Sequence, residues 1–426
     1  MKTPGQILKD YEPALPKRFS RDLTIFAARI YNLFHPAKFI YKFDKKWAKG
    51  RPVLLLFQHL SVTDPYHVML GYPFIMPNVI TGIHNMLVPG LFELLLGDGV
   101  IPKMLYVNDV RAARSILKLR KKGASIGVFP EGIQSMDGAA SPLDPATAKL
   151  VKKLGLDTVL CSGHGSYLSR PRFDSHIRKG HIEYTYEILF SKEELVSLTE
   201  DEIYEKLLEK FKFNDFEWNS KMHCRYKGKV PNAMGLDKIL FICPYCKKQF
   251  TMKVEGECIK CTCGESVHVD EFYDLKPVRS PLPFKRIDEW YLWQRGIIEE
   301  EVQKDDFSMS FPVEHRLLSL DRLRSETTIK TGSGTVTLNK EQYIYSGTDY
   351  GDPIELRFDI SKMPSAPFVS GTGSEFYYDN VYHRFVITSD ERLSVKVLMA
   401  VEILHNMNDE TRKKAYLDSV RHRVNR

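Results

Sequence analysis

Between residues 52 and about 195 the chain switches repeatedly between two apolar rhythms, and that alternation leaves few folds open. Short runs, VLLLF (53–57), NVITGI (78–83), ASIGVF (124–129), DTVLCS (157–162) and HIEYTYEI (181–188), have the length and the β-branched or aromatic content of strands. Helical stretches separate them at 65–72, 87–97, 109–122 and 145–154. Strand–helix alternation predicts an α/β domain with a mixed, largely parallel sheet flanked by helices. A further helix is expected from Thr199, where TEDE offers a capping box.

On the N-terminal side, residues 20–45 carry Ile25, Phe26, Ile30, Leu33 and Phe34 near helical spacing, flanked by Arg21, Arg29, Lys38 and Lys42. This reads as an amphipathic helix broken at His35-Pro36. Packing on the domain core is the expected use of its apolar face, and a helix lying on a membrane is the other.

After about residue 235 the character changes. Five of the seven cysteines fall between 243 and 263, and a Pro-rich stretch, LKPVRSPLPF (275–284), reads as a linker. A helical pattern, RIDEWYLWQRGIIEEEVQK, follows. From about 326 the period becomes two: TTIKTG, GTVTL, QYIYSG, IELRFD, APFVS, SEFYYD and YHRFVIT are candidate strands, closed by a helix over 390–405 with Leu393, Val397, Ala400, Val401 and Leu404 on one stripe. Seven short strands and one helix resemble the pleckstrin-homology (PH) or GRAM pattern. The expected organisation is an α/β domain over 1–235, a small cysteine-rich module over 236–275, a linker and helix over 276–310, and a β-rich PH-like domain over 311–426.

The cysteines read as a metal site. Cys243-x-x-Cys246 and Cys261-x-Cys263-Gly264 form two knuckles of a zinc ribbon, with Cys258 as an alternate ligand. Clustering of this kind suits structural Zn2+ in a reducing compartment rather than a disulfide framework. The window holds a few lysines but no dense basic stripe, so no nucleic-acid partner is expected.

The catalytic question sits at FQHLSVTDPY (57–66). A buried strand ends on Gln58 and His59, and Asp64-Pro65 then has the composition of a helix start, Asp64 serving as N-cap. Open α/β sheets bind ligands at the C-terminal ends of their strands. There Asp64 could orient His59, leaving the other ring nitrogen to take a proton from a hydroxyl. The alternative is an ordinary capping aspartate beside a strand-end histidine. A second strand leaves the sheet in SIGVFPEGIQS (125–135), placing Glu131 between Pro130 and Gly132.

Together these segments resemble the glycerolipid acyltransferase family of the lysophosphatidate-acyltransferase type. Its H-x-x-x-x-D block is matched by His59 and Asp64, and its F-P-E-G-x-R-S block by Phe129, Pro130, Glu131, Gly132 and Ser135. The G-x-x-F-I-x-R block falls at GVIPKML, with Lys103 where arginine is usual, and the fourth block at TVLCSGHGSYLSRPRF, with Cys161 near its proline. The likeness covers roughly residues 20–215. It implies His59 as general base, Asp64 as its orienter, and Glu131, Gly132, Lys103 and Ser135 as acceptor-binding residues. The implied donor is acyl-CoA or acyl-carrier protein, and the implied acceptor is a lysophospholipid such as 1-acylglycerol-3-phosphate. Gln134 replaces the arginine of the third block, so Arg114, Lys118, Arg170 or Arg172 would have to supply the missing charge. A non-catalytic lipid-binding or scaffold protein on the same fold is the rival.

Other motifs lead elsewhere. GHGSYLS lacks the G-x-S-x-G elbow of serine hydrolases, and no P-loop occurs. Cys161 reads as a buried strand residue, His67 as a helix-surface histidine, and SGTGSEF as a hairpin turn. The net charge of +7 fits an anionic surface without demanding one. No apolar run reaches the length of a membrane span, and the opening MKTPGQILKDYEPALPKRF lacks a signal-peptide core. The expected location is cytoplasmic, peripheral on the inner face of the membrane.

Overall fold

The computed structural model describes residues 10–410 and 413, other than 87, 89, 105–108, 319–327, 367–372 and 379–380. It divides into two compact units, one of residues 8–103 and 109–229, the other built mainly of 230–426.

The first unit contains, in chain order, α1 (Arg18–Phe34), β1 (Lys38–Tyr41), β2 (Val53–Phe57), α2 (Asp64–Gly71), β3 (Asn78–Gly82), β4 (Ile101–Lys103), α3 (Val110–Lys121), β5 (Ile126–Val128), α4 (Ala146–Leu154), β6 (Asp157–His164), β7 (Glu183–Phe190), α5 (Glu200–Lys210) and α6 (Asp215–Met222). The seven strands form one sheet in the order β1-β7-β6-β2-β5-β3-β4. Every pair is parallel except β6 with β7. The sheet is thus largely parallel, and β2 lies at its centre.

All five side chains of β2 are buried, because the two faces of a strand alternate and both faces are covered. Leu54 and Leu56 join a core with Ile126, Leu160, Leu119 of α3, Val151 of α4 and Leu207 of α5. Val53, Leu55 and Phe57 join the other, with Val159, Cys161, Tyr184, Tyr186, Val68 and Tyr72. Burial at this level is worth about 1.5–3 kcal/mol per large apolar side chain, so the strand that delivers His59 is also a main anchor of the unit. The expected capping box forms at α5: the Thr199 hydroxyl accepts from the Glu202 N–H, and the Glu202 carboxylate accepts from the Thr199 N–H.

Four local expectations are corrected. Residues after His35-Pro36 do not resume a helix; Lys38–Tyr41 is a strand parallel to β7, because Pro36 ends the helix and the aromatic and β-branched K-F-I-Y run pairs with the sheet edge. Among the described residues of the 87–97 stretch the helix runs over Phe92–Gly97, while Ile83–Met86 forms a separate turn of helix. His67 is not on a helix surface: it is fully buried, its Nε2 3.0 Å from the His35 carbonyl and its ring against Tyr31 and Tyr184. The apolar face of α1 is not packed on the core. Only Ser20 and Ala28 of that helix are buried, whereas Phe19 is 80% and Leu33 79% exposed.

The second unit contains β8 (Met252–Glu255), β9 (Cys258–Cys261), β10 (Ser266–Val269) and β11 (Leu275–Pro277), a sheet paired antiparallel in sequence order. The expected linker therefore starts as a strand, since Val267↔Pro277 and Val269↔Leu275 pair across it. α7 (Ile287–Gln303) follows, then β12 (Ser308–Leu318), β13 (Thr328–Asn339), β14 (Gln342–Asp349), β15 (Asp352–Asp359), β16 (Ser374–Tyr378), β17 (Val381–Ile387) and α8 (Leu393–Met407). These six strands form an antiparallel sheet ordered β15-β14-β13-β12-β17-β16.

The expected TTIKTG and GTVTL strands are one strand, β13, because Ser333 between them pairs with Glu314 and the ladder continues past a one-residue register shift at Thr331. No separate strand is expected at β12, where Phe311, Val313 and His315 alternate inward, because Pro312 and a polar His315 on the inward face mask the period. The candidate strand at 366–370 lies, apart from Ala366, outside the described residues. α8 buries Val397, Ala400, Val401 and Leu404 of the expected stripe, and Leu398 and Met399 besides, while Leu393, its first residue, is only half-buried.

Candidate active site

Parallel strands end on one edge. Register places Leu54 of β2 beside Ile126 of β5 and Thr158 of β6, so the loops that follow these strands emerge together. Those loops carry His59, Glu131 and Gly165-Ser166. Gln58, buried, fastens the junction: its side-chain carbonyl accepts from the Gly163 N–H at 3.1 Å.

His59 Nδ1 lies 3.4 Å from Asp64 Oδ2, and the imidazole sits 4.5 Å from the Phe129 ring, centroid to centroid. Asp64 is fully buried and nearly enclosed by donors. Oδ2 also accepts from the Ser61 N–H at 2.7 Å; Oδ1 accepts from the Ser166 hydroxyl at 2.9 Å and the Tyr184 phenol at 2.8 Å. Burial, and then the Asp64 charge beside it, push the Tyr184 phenol well above its ordinary value, so it stays a donor. These contacts explain why Asp64 is not an N-cap. Thr63 holds that position, Asp64 begins α2, and its carboxylate turns away from the helix toward the histidine.

Glu131 braces the same loop. Its Oε2 accepts from the His59 N–H and its Oε1 from the Ser141 N–H, both at 2.8 Å. Gly132 adopts φ +72, a left-handed conformation that suits glycine at the turn out of β5. Ser135 is fully buried; its N–H donates to the His59 carbonyl at 2.9 Å and its hydroxyl to the Ala139 carbonyl at 2.7 Å. Glu131 and Ser135 thus grip the His59 backbone from both sides.

The basic residues divide. Lys103 ends β4, and the pairings Gly82↔Lys103, Asn78↔Ile126 and Leu54↔Ile126 place it level with Gln58. Three strand spacings separate them, on the order of 14 Å. Gln134 donates to the Leu60 carbonyl at 3.1 Å, and its own carbonyl accepts from Arg172 Nη1 at 2.7 Å. The Arg170 carbonyl accepts from the Ser61 hydroxyl. Arg170 and Arg172 therefore sit on the loop packed against the histidine turn, whereas Arg114 and Lys118 lie exposed on α3.

Sequence reasoning missed Ser166, Tyr184 and a second pair, His164 with Asp215. His164 Nδ1 lies 3.4 Å from Asp215 Oδ1, and the His164 ring stacks on Trp218. Asp215 also accepts from the Gly165 and Tyr167 N–H groups, and burial pushes its carboxyl above the usual range. Ser166 and Tyr184 lie 102 and 120 residues from Asp64, so no spacing rule finds them.

In the second unit the sulfurs of Cys243, Cys246, Cys261 and Cys263 all lie within 4.8 Å of one another. Cys161 is buried in the first unit's core, as expected of a strand residue.

No family model matches the chain. In sequence it is 28% identical over 174 residues to the 1-acyl-sn-glycerol-3-phosphate acyltransferase of Borreliella burgdorferi, spanning 37% of this chain and 67% of that protein. This chain is an O-acyltransferase. The crystal structure of PlsC from Thermotoga maritima, a 1-acyl-sn-glycerophosphate acyltransferase, superposes with a TM-score of 0.38 at 17% identity, covering 45% of this chain and 76% of that one. For an O-acyltransferase the chemistry requires a base beside the acceptor hydroxyl, and the His59–Asp64 pair is a candidate of that kind.

Proposed function

We propose that this O-acyltransferase moves a fatty acyl group from a thioester, acyl-CoA or acyl-carrier protein, to a free hydroxyl of a lysophospholipid of the 1-acylglycerol-3-phosphate class. The observation that carries the reading is the partly exposed His59 held against a buried, four-partner Asp64 at the C-terminal edge of the sheet.

His59 Nε2 takes the proton of the acceptor hydroxyl as the oxygen attacks the thioester carbonyl. Asp64 keeps the proton on Nδ1 and stabilises the imidazolium that forms. Collapse of the tetrahedral intermediate expels the thiolate, which receives the proton from His59. Glu131, Gly132 and Ser135 fix the loop that aims the base. Lys103, Arg170 and Arg172 supply positive charge for the acceptor phosphate, with Arg172 standing in for the arginine that Gln134 replaces. Acyl transfer by purified protein, with acyl-CoA and acyl-carrier-protein donors against a panel of lysophospholipids, tests this. Transfer to phosphate-bearing acceptors supports it. No transfer to any acceptor from folded protein would favour a lipid-binding scaffold. Arg172→Ala is expected to raise KM for a lysophosphatidate acceptor about tenfold or more, with a smaller change for a neutral monoacylglycerol; equal changes for both would remove Arg172 from phosphate binding.

The enzyme works, on this proposal, from the cytoplasmic face of the membrane. Among the described residues no helix is long and apolar enough to cross a bilayer. α1, however, faces its small residues inward: Ser20 and Ala28 are buried, and the Thr24 hydroxyl donates to Asp98. Phe19, Leu23, Phe26, Ile30 and Leu33 recur at intervals of four and three along the opposite face, all exposed, with Arg18 and Arg21 at the N-terminal end. Val62 and Tyr66, in and after the turn that follows His59, are exposed as well, and Tyr66 stacks on Tyr31 of α1. A water-exposed stripe of this width suits insertion at the headgroup boundary. Burying Phe26 and Leu33 is worth about 1.5–3 kcal/mol each, so the Phe26→Glu/Leu33→Glu double variant is expected to weaken binding to anionic vesicles at least about tenfold. Transfer to a short-chain, water-soluble acceptor should be retained. Unchanged co-sedimentation with vesicles would rule this surface out.

A further inference from the structure

We infer that Cys243, Cys246, Cys261 and Cys263 hold one Zn2+ ion in a closed tetrathiolate site, and that this ion locks the 241–250 hairpin onto α7. The proposal concerns the second unit and is independent of the acyl-transfer reading.

The sulfur spacing fits the ion. Thiolates about 2.3 Å from a tetrahedral zinc stand about 3.8 Å apart. Cys246 and Cys261 are 3.8 Å apart, and Cys243 and Cys263 are 3.9 Å apart. A disulfide would need about 2.05 Å, and all four residues are free thiols. The backbone makes two knuckles of the kind that present paired sulfurs. In the first, the Lys247 N–H donates to the Cys243 carbonyl and Lys247 takes φ +58; in the second, the Gly264 N–H donates to the Cys261 carbonyl and Gly264 takes φ +95. Polar groups outside the sulfurs face them as well: the Thr251 hydroxyl is 3.2 Å from Cys261 Sγ, and the Cys263 N–H points at the same sulfur at 3.5 Å.

The geometry also resolves which cysteine is the fourth ligand. Cys258 and Cys261 both lie on β9, three residues apart. Residues three apart on a strand point to opposite faces, about 10 Å from one another. Cys258 instead sits opposite His268 and Glu255 in the sheet. Four sulfurs leave no position for water, which makes the site structural rather than catalytic.

The first knuckle is the tip of a 241–250 hairpin, closed by the Phe250 N–H on the Phe241 carbonyl and the Cys243 N–H on the Lys248 carbonyl, and α7 grips the arm that leads into it. The buried Gln294 side-chain carbonyl accepts from the Phe241 N–H at 3.0 Å and the Ile242 N–H at 3.3 Å, and its amide donates to the Ile239 carbonyl. The Trp290 indole N–H donates to the Ile242 carbonyl at 3.0 Å. From α8, Lys396 donates to Gln249 on the return arm of the hairpin. An ion that fixes Cys243 and Cys246 holds both arms in register for these contacts, so metal binding and docking of the hairpin are one folding event.

Elemental analysis of the full-length protein, purified without added metal, is expected to give one zinc per chain. Exchange with Co2+ should produce the intense visible bands and thiolate charge-transfer absorption of a tetrahedral tetrathiolate. Cys246→Ser and Cys263→Ser should lose the ion, and Cys258→Ser should keep it. Chelation of the wild-type protein should turn slow amide exchange into fast exchange at 241–250 and at the Trp290–Gln294 turn of α7. Folded wild-type protein without bound metal would overturn the site. Equal metal loss in Cys258→Ser and Cys246→Ser, or a Co2+ spectrum with a nitrogen or oxygen ligand, would overturn the ligand set. Exchange at α7 indifferent to chelation would overturn the lock.

Discussion

Replacing His59 by alanine is expected to lower acyl transfer by about 10²–10⁴-fold, the usual contribution of a positioned general base. The imidazole is partly exposed and ends a strand rather than filling a core, and the contacts that hold its backbone come from Glu131 and Ser135. The fold should therefore survive, and a melting temperature close to that of the wild type would demonstrate it. The loss should appear in kcat with little change in KM, because the proposed general base would act on the proton in flight and not on the resting acceptor. Turnover retained at wild-type rates in a folded His59→Ala protein would take the base away from this position.

Asp64→Asn is expected to cost a similar factor, on the order of 10²–10⁴-fold, for a different reason. The asparagine can place its carbonyl toward the Ser61 N–H and His59 and its amide toward Ser166, whose hydroxyl can turn to accept. Nδ1 then keeps a partner but loses the negative charge that stabilises the imidazolium. Tyr184→Phe supplies the contrast. It removes one of the two hydroxyl donors to Oδ1 without touching the reacting atoms, and a loss of about tenfold or less is expected. If both variants lost activity equally, Asp64 would be a structural anchor of the α1–α2 region and not the orienter of a base.

How much of this was legible in the sequence can be argued residue by residue. His59 and Asp64, five apart, and Glu131, between proline and glycine, lie on short local segments whose strand and turn signals are strong, so their place at one sheet edge could be read directly. Lys103 could be placed on its strand, but its height relative to Gln58 depends on three successive strand registers. Ser166 and Tyr184 could not be found, because a single hydroxyl more than a hundred residues away carries no local mark. His67 was misread because one turn of helix says nothing about which helix will lie over it, and α1 because an amphipathic stripe looks the same whether it meets a core or water.

The sequence by itself determined the alternation that builds a largely parallel sheet, a strand-end histidine five residues before an aspartate, and the close spacing of the cysteines. Each is set by local rules of period, turn chemistry and ligand spacing. Tertiary structure alone decided which groups enclose Asp64, that Arg170 and Arg172 rather than Arg114 and Lys118 lie beside the histidine turn, and that the bulky face of α1 points outward; it also brings Cys261, which the spacing favours over its alternate Cys258, to the first knuckle. Those outcomes depend on strand register and on which surfaces helices cover, and these follow from the packing of the whole unit rather than from any one segment.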